Sequence, residues 1–376
     1  MDRASFWQET QWQQLANDRQ QKSSKNSEAR LNAIESITKH TNVKNNDYDS
    51  AYPYLKDKLK PDTKSNTFLK TPLVNDLSKL KTYDLAVLGI PYTSNFNHKS
   101  GTNFGPQGIR RISASYNTYN REIGGELCQK INICDLGDLN LIYDEEKNAF
   151  SLISQGVFEI SKSGVFPVIL GGDRSITFPV LKGISQALNH QKIGIIHFTR
   201  RLLPQTVYQE KKLSTYPGLP TEKLKNIATK NIVQLGISDR QIPDNAFIFG
   251  QENFNNNILT AREIAKYGLD AAADLALKQA LDGTDRIYLS FDINCIDTYC
   301  LSENECLETS YLLPKEALYL LTKIIKNAPI CGLEVVGVSP PNEVGNIEAI
   351  MATRIICSAI ANLISSQQIT QVGERG

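Results

Sequence analysis

The sequence predicts an α/β fold, a three-layer α/β/α sandwich around a parallel sheet. Three observations carry this expectation. Short runs rich in Val and Ile recur along the chain, and most are apolar throughout, as strands buried on both faces are. Segments with helical spacing fill the gaps between them, which is the alternation of a parallel sheet with crossover helices. One run ends in Gly171-Gly172 and passes straight into a helical pattern, the usual form of a strand-to-helix turn at the mouth of such a sheet.

Taken in order, residues 1–82 differ from the rest. The stretch "NDRQQKSSKNSEARLNAIESITKHTNVKNNDYDS" is rich in Asn, Gln, Lys and Ser and poor in apolar runs, so it reads as a solvated extension with one or two short helices. Both tryptophans, Trp7 and Trp12, fall in its first dozen residues. Exposed Trp is unusual, so this end is expected to dock on the protein's own core, a neighbouring subunit or a foreign partner. Strands are predicted at "DLAVLGI" (84–90), "VFPVILGG" (165–172), "KIGIIHF" (192–198), "NIVQLGI" (231–237), "RIYLSFDI" (286–293) and "LEVVGV" (333–338). Helices are predicted over 149–162, 177–189, 260–281, 315–327 and 345–365. No linker or internal repeat interrupts 84–367. The expected division is a polar extension (1–82), one α/β domain (83–367) and a short tail (368–376).

Charge and cysteine content narrow the classes. Lys and Arg number 41 against 40 Asp and Glu, a formal net charge of +1, which gives no reason to expect nucleic acid or a membrane surface as partner. The seven cysteines, Cys128, Cys134, Cys295, Cys300, Cys306, Cys331 and Cys357, are odd in number, and several sit inside apolar patterns. They are expected to be ordinary buried thiols in a reducing compartment. The spacing of Cys295, Cys300 and Cys306 is not that of a zinc knuckle. No run of about 18 apolar residues is evident, and the first residues lack an apolar signal core, so a cytoplasmic location is expected.

Ligand groups in such a sheet come from the carboxyl ends of the strands. Three ends stand out: Asp173-Arg174, the run Thr199-Arg200-Arg201-Leu202-Leu203, and Asp292-Ile293-Asn294. Around them lie "LGIPYTSNFNHKSGTNFGPQGIRR" (88–111), "DLGDLN" (135–140), "LGGDRSITFPVLKGI" (170–184), "IGIIHF" (193–198), "VQLGI" (233–237), "YLSFDINCIDT" (288–298) and "VSPPNEVGNIEAIMATRII" (338–356). In this order and at these intervals the chain, from about Asp84 to Ile364, resembles the ureohydrolase family of arginases, agmatinases and guanidine hydrolases.

The resemblance implies hydrolysis of a guanidino carbon by a hydroxide bridging two manganese or nickel ions, held by carboxylates and imidazoles. It also shows where this chain departs. The family's histidine after Gly-Gly-Asp falls on Arg174. The motif Asp-Ala-His-x-Asp falls on Thr199, Arg200, Arg201, Leu202 and Leu203. The paired aspartates after Ser-Phe fall on Asp292 and Asn294. Of six family ligands, Asp292 alone survives as a strong donor. Leucine offers no donor atom, arginine no lone pair, and threonine and neutral asparagine are weak ligands. Four family aspartates would balance two divalent cations; here Asp292 with Arg174 and Arg201 sums to +1 without metal. The guanidinium groups are expected to fill the ions' place, with Arg174 or Arg201 paired to Asp292, and Asp173 as a second candidate partner. The acidic residue the family sets before Val-Ser-Pro-Pro, beside the substrate guanidinium, is Gly337. The His-Gly loop should fall near 213–222, which holds no histidine. Of the four histidines, His40, His98, His190 and His197, the last matches a structural strand position, and His98 lies in a pocket-bordering loop.

The degenerate pocket is therefore Asp173, Arg174, Arg200, Arg201, Asp292 and Gly337, with no metal expected. Three functions remain open. The first is a metal-free, non-catalytic homologue that assembles, as the family does, into trimers or hexamers, or that joins an active relative. The second is a guanidino hydrolase with a site rebuilt from Asp173, Asp292, Asp297 and Glu343. The third is a small-anion binder using Arg174, Arg200 and Arg201.

Overall fold

The computed structural model of the chain describes residues 59–60, 67–93, 101–141, 146–202, 224–238, 257–297, 312–341 and 345–369. The strands are β1 (Leu59–Lys60), β2 (Leu85–Ile90), β3 (Tyr119–Asn120), β4 (Gly125–Glu126), β5 (Ile133–Leu139), β6 (Phe166–Gly171), β7 (Ile193–Phe198), β8 (Ile232–Ile237), β9 (Ile258–Thr260), β10 (Arg286–Asp292) and β11 (Ile330–Val336). Nine of them form one sheet in the order β1-β5-β2-β6-β11-β10-β7-β8-β9; β3 and β4 make a separate two-stranded pair. Every pairing in the large sheet is parallel except that of β1 with β5.

The helices used below are α1 (Gly105–Ser113), α2 (Glu146–Lys162), α3 (Thr177–Ala187), α4 (Ala261–Tyr267), α5 (Leu269–Ala280), α6 (Pro314–Asn327) and α7 (Ile347–Ser365). Alternate strand residues feed two apolar layers. Leu85 and Val87 join Ile109, Ala276, Ile324 and Ile355 on the side of α1, α5, α6 and α7. Ala86 and Leu88 join Ile153, Val157 and Ile184 on the side of α2 and α3. This is why β2, β7 and β8 are buried along their whole length and carry no alternation in sequence.

The single helix expected over 260–281 is two. Thr260 caps α4, accepting from the Glu263 backbone N–H at 3.1 Å while Glu263 Oε2 accepts from the Thr260 N–H at 2.9 Å. At Gly268 the backbone turns to φ +90°, which ends α4 and starts α5. Helix α7 meets the length and hydropathy of a membrane span, contrary to the sequence expectation, yet 78% of its apolar window is buried inside the protein. It is apolar all round because it is a core helix.

The packed domain also extends past both expected boundaries. Phe68 is fully buried, its N–H donates to Asp135 Oδ2 at 2.7 Å, and the Leu69 N–H donates to Ser113 Oγ at 2.9 Å. Residues before 83 thus complete the apolar layer over α1, and Gln368 closes the far end. Its amide donates to the carbonyls of Ile325 and Ala328 at 2.6 and 2.9 Å and accepts from the Ile330 N–H at 2.7 Å. Trp7, Trp12, His40, His98, Cys300 and Cys306 lie outside the described residues. Of the other cysteines, Cys134, Cys295 and Cys357 are buried and Cys331 is half-buried, whereas Cys128 is exposed, contrary to expectation. Burial still pushes the Cys128 thiol up, so exposure does not make it a ready thiolate.

Candidate functional site

Strands β6, β11, β10 and β7 are consecutive neighbours at the centre of the sheet, so their carboxyl ends lie side by side. Each tip carries expected pocket residues. After β6, Asp173 caps a short turn, Arg174–Ile176. Its carboxylate accepts from the Ser175 N–H at 2.9 Å, from the Ser175 hydroxyl and from the Thr93 hydroxyl at 3.2 Å. After β7, the Thr199 N–H donates to the Leu235 carbonyl at 2.9 Å, and its hydroxyl accepts from the Arg201 N–H at 3.3 Å. Thr199 is fully buried and Arg200 is 5% exposed. After β10, Asp292 caps the turn Ile293–Cys295, and its Oδ1 accepts both the N–H of Asn294 at 3.0 Å and the side-chain amide of Asn294 at 2.8 Å. After β11, the Gly337 N–H donates to the Gly172 carbonyl at 2.9 Å.

The arginine-for-metal expectation needs one correction. Neither Arg174 nor Arg201 makes a hydrogen bond or an ion pair with Asp292; Asn294 supplies the carboxylate with two nearer donors instead. Asp292 acts on Arg174 through space. Burial lowers Arg174 from its ordinary range; Asp292 and Asp173 oppose this, while Arg201 and Arg200 add to it. The pocket therefore brings Asp173, Arg174, Arg200, Arg201 and Asp292 into one electrostatic neighbourhood. Leu203, Glu343 and the segment 213–222 lie outside the described residues. Asp297 is buried behind the Asp292 turn, its N–H donating to the Leu312 carbonyl at 2.9 Å.

Gly337 does more than omit an acid. Its φ is +86°, and a Cβ there would stand 2.5 Å from Asn294 Nδ2 and 2.7 Å from Asp292 Oδ1. Gly337→Glu and Gly337→Ala are both expected to destabilise the fold by on the order of 2 kcal/mol, because the backbone strain and the crowding begin at Cβ. Denaturant midpoints for the two variants check this. An unchanged Ala variant would mean that the strand tip relaxes freely.

A polar row beneath the tips was not anticipated as a unit. The strand registers align Gln234, His197, Ser290 and Glu334 across β8, β7, β10 and β11, and all four are fully buried. Glu334 Oε1 accepts from the hydroxyls of Ser290 at 2.5 Å and Thr177 at 2.6 Å. The Tyr288 hydroxyl lies near Glu334 without a well-aligned hydrogen bond. Desolvation raises the Glu334 carboxyl to about 7. Desolvation lowers His197 to about 4; Asp292 opposes the shift and Arg174 adds to it. Both ring nitrogens of His197 are buried without a hydrogen-bond partner. The signal was visible as one polar residue inside each apolar run: VQL, IHF, LSF and LEV.

The residues present do not fit a pair of divalent cations. At the five described positions where the resemblance expects ligands stand two arginines, a threonine, an asparagine and one aspartate, and the aspartate is already hydrogen-bonded by its own turn. Among the described residues, no three His, Cys, Asp or Glu side chains come together as a metal-holding group.

The model of the Arginase family matches residues 83–361. The chain belongs to the arginase family. The human protein named guanidino acid hydrolase, mitochondrial, is 25% identical over 283 residues, covering 74% of this chain and 78% of its own. A guanidinobutyrase of Pseudomonas aeruginosa is 25% identical over 293 residues, covering 77% and 89%. Among solved structures, proclavaminate amidino hydrolase from Streptomyces clavuligerus superposes with a TM-score of 0.70 at 24% identity, covering 81% of this chain and 98% of that one. The fold of this arginase-family member is thus that of its hydrolase relatives.

Proposed function

We propose that this arginase-family chain is a non-catalytic member that holds no metal pair and works through assembly, either as a homo-oligomer (a trimer or hexamer) or as the partner of an active relative. One observation carries the reading: the four central strand tips present arginine, threonine, asparagine and glycine where the chemistry needs carboxylates and imidazoles. A divalent cation needs at least three good ligands with a supporting shell, and like charges from Arg174 and Arg201 repel it further. The rebuilt hydrolase site has less support, since Asp173 already accepts three hydrogen bonds from Ser175 and Thr93.

The test is elemental analysis of the full chain purified from manganese- and nickel-supplemented cells, paired with urea release from arginine, agmatine and guanidine. The expected result is metal far below one equivalent and no turnover with either ion. Near two equivalents of tightly held metal would overturn the reading, whatever the activity. Pull-down of an active relative from the native cell would favour mixed assembly; a purely homomeric particle would favour the first form.

A further inference from the structure

We infer that a cavity at the amino ends of the central strands is a binding site for a small organic monocarboxylate with a flat apolar body. It lies at the opposite end of the sheet from the strand tips, and it stands whether or not the tips hold metal. Strands β2, β6, β11 and β10 are consecutive parallel neighbours, so their first residues lie side by side. Phe166 opens β6, Arg286 opens β10, and Cys331 is the second residue of β11. All three line a cavity of about 420 Å³. Small-molecule sites commonly span about 300–1,000 Å³.

One part of the lining is cationic. Arg286 is half-buried, and its Nε donates to Gln191 Oε1 at 3.2 Å, which holds the guanidinium plane. Among the described residues its Nη groups have no hydrogen-bond partner. Lys81 lines the same cavity and is exposed. Among the described residues neither cation forms an ion pair. The acid in the lining is Asp84, whose Oδ2 accepts the Asn132 N–H at 2.8 Å. Among the described residues Lys81, Arg286 and Asp84 are the charged members of the lining; they sum to +1, which a monocarboxylate neutralises. Cys331 supplies no counter-charge. Burial pushes its thiol up to about 12 against the opposing effect of Arg286, and its Sγ donates to the Ile287 carbonyl at 3.4 Å.

The other part is apolar. Tyr83, Phe166 and Leu188 line the cavity half-buried, together with the buried side chains of Ile330 and Ile369. The Ser161 hydroxyl, also in the lining, is buried without a hydrogen-bond partner and can donate to a guest. A purely apolar guest would leave the guanidinium edge and this hydroxyl unanswered. An inorganic anion would leave the apolar wall in water. A carboxylate carried on a flat hydrocarbon meets both, because the planar guanidinium fork pairs with its two oxygens while the ring covers the aromatic side chains.

The probe is 2-naphthoate, titrated into the full-length chain by calorimetry at fixed ionic strength, with 2-naphthamide as its uncharged isostere. The expected result is saturable binding of one naphthoate per chain, with naphthamide weaker by about tenfold or more. Arg286→Met is expected to weaken naphthoate by about tenfold or more, as loss of a charge-assisted contact does. Lys81→Met should weaken it by about threefold, since an exposed ammonium is screened. Lys81 sits at the surface, so its variant tests the site even if Arg286→Met fails to fold; melts without ligand show which has folded. Absence of saturable naphthoate binding overturns the inference. Naphthamide binding as tightly as naphthoate overturns it too, because the contact would then be apolar alone. Affinity unchanged in both variants places the guest elsewhere and also overturns it. None of these results depends on metal content, so this inference and the metal-free reading fail separately.

Discussion

Arg110→Ala is expected to lower stability by about 3–5 kcal/mol, the usual result of stripping one partner from a buried ion pair. Arg110 is 3% exposed on α1 and reaches across to β5. Its Nε and Nη2 donate to the two oxygens of Asp135 at 2.8 and 2.9 Å, Nη2 also donates to the Gly137 carbonyl at 2.9 Å, and Nη1 pairs with Asp138. Asp135, fully buried, further accepts the N–H groups of Phe68 and Gly137 at 2.7 and 2.8 Å. One guanidinium therefore ties α1, β5 and the chain before β2 together. Burial pushes Arg110 down, but Asp138 and Asp135 outweigh it and its ionised form is held above the usual range. Truncation leaves a buried carboxylate short of its main counter-charge. The urea midpoint should fall by about 1 M or more. Arg110→Lys should not rescue it, since an ammonium cannot span both oxygens of Asp135. A variant within about 0.5 kcal/mol of wild type would refute the tie.

Glu334→Gln is expected to change how stability depends on pH. The carboxyl titrates at about 7 in the fold against 4.5 as its ordinary value, chiefly through desolvation. Between those limits the folded state keeps a proton that the unfolded state has released. Stability from this group is complete below about 4.5 and is lost as pH rises to about 7, a total on the order of 3 kcal/mol. His197 works in the opposite sense. Its folded value is about 4 against 6.5, so the unfolded chain binds the proton first and stability rises with pH across that window. The two slopes nearly cancel between about pH 4.5 and 6.5 in the wild-type protein. In Glu334→Gln the His197 slope stands alone, and the variant gains on wild type by about 3 kcal/mol from pH 4.5 to 7.5 before levelling off. Denaturant melts of both proteins across this range check the prediction. Parallel curves would mean that Glu334 stays ionised in the fold.

Much of this architecture was legible because local pattern and tertiary role agree. β2, β7 and β8 read as strands since every residue in them is buried, and apolar runs are what two-sided burial selects. β5 escaped because it is "ICDLGDL", whose Asp135 and Asp138 look like surface residues until Arg110 is placed beside them. The packing of Phe68 and Leu80 was hidden by the polar residues around them. At the site, position in a strand order gave the pocket residues their place. Which partner each would take was not legible, because hydrogen-bond geometry decides it. Asn294 sits two residues from Asp292, close enough to satisfy it from within the turn, and no pattern of spacing ranks that above a distant arginine.

The row of Gln234, His197, Ser290 and Glu334 has a consequence for how the protein can be observed. An imidazole sealed in the sheet with a titration point near 4 stays neutral through the physiological range. Its nitrogen resonances should then hold one tautomer's frequencies from mildly acidic to basic solution. Any change of charge at Asp292 or Arg174 would register there as a shift without titration of the ring, so this imidazole is a built-in spectroscopic reporter for the strand tips.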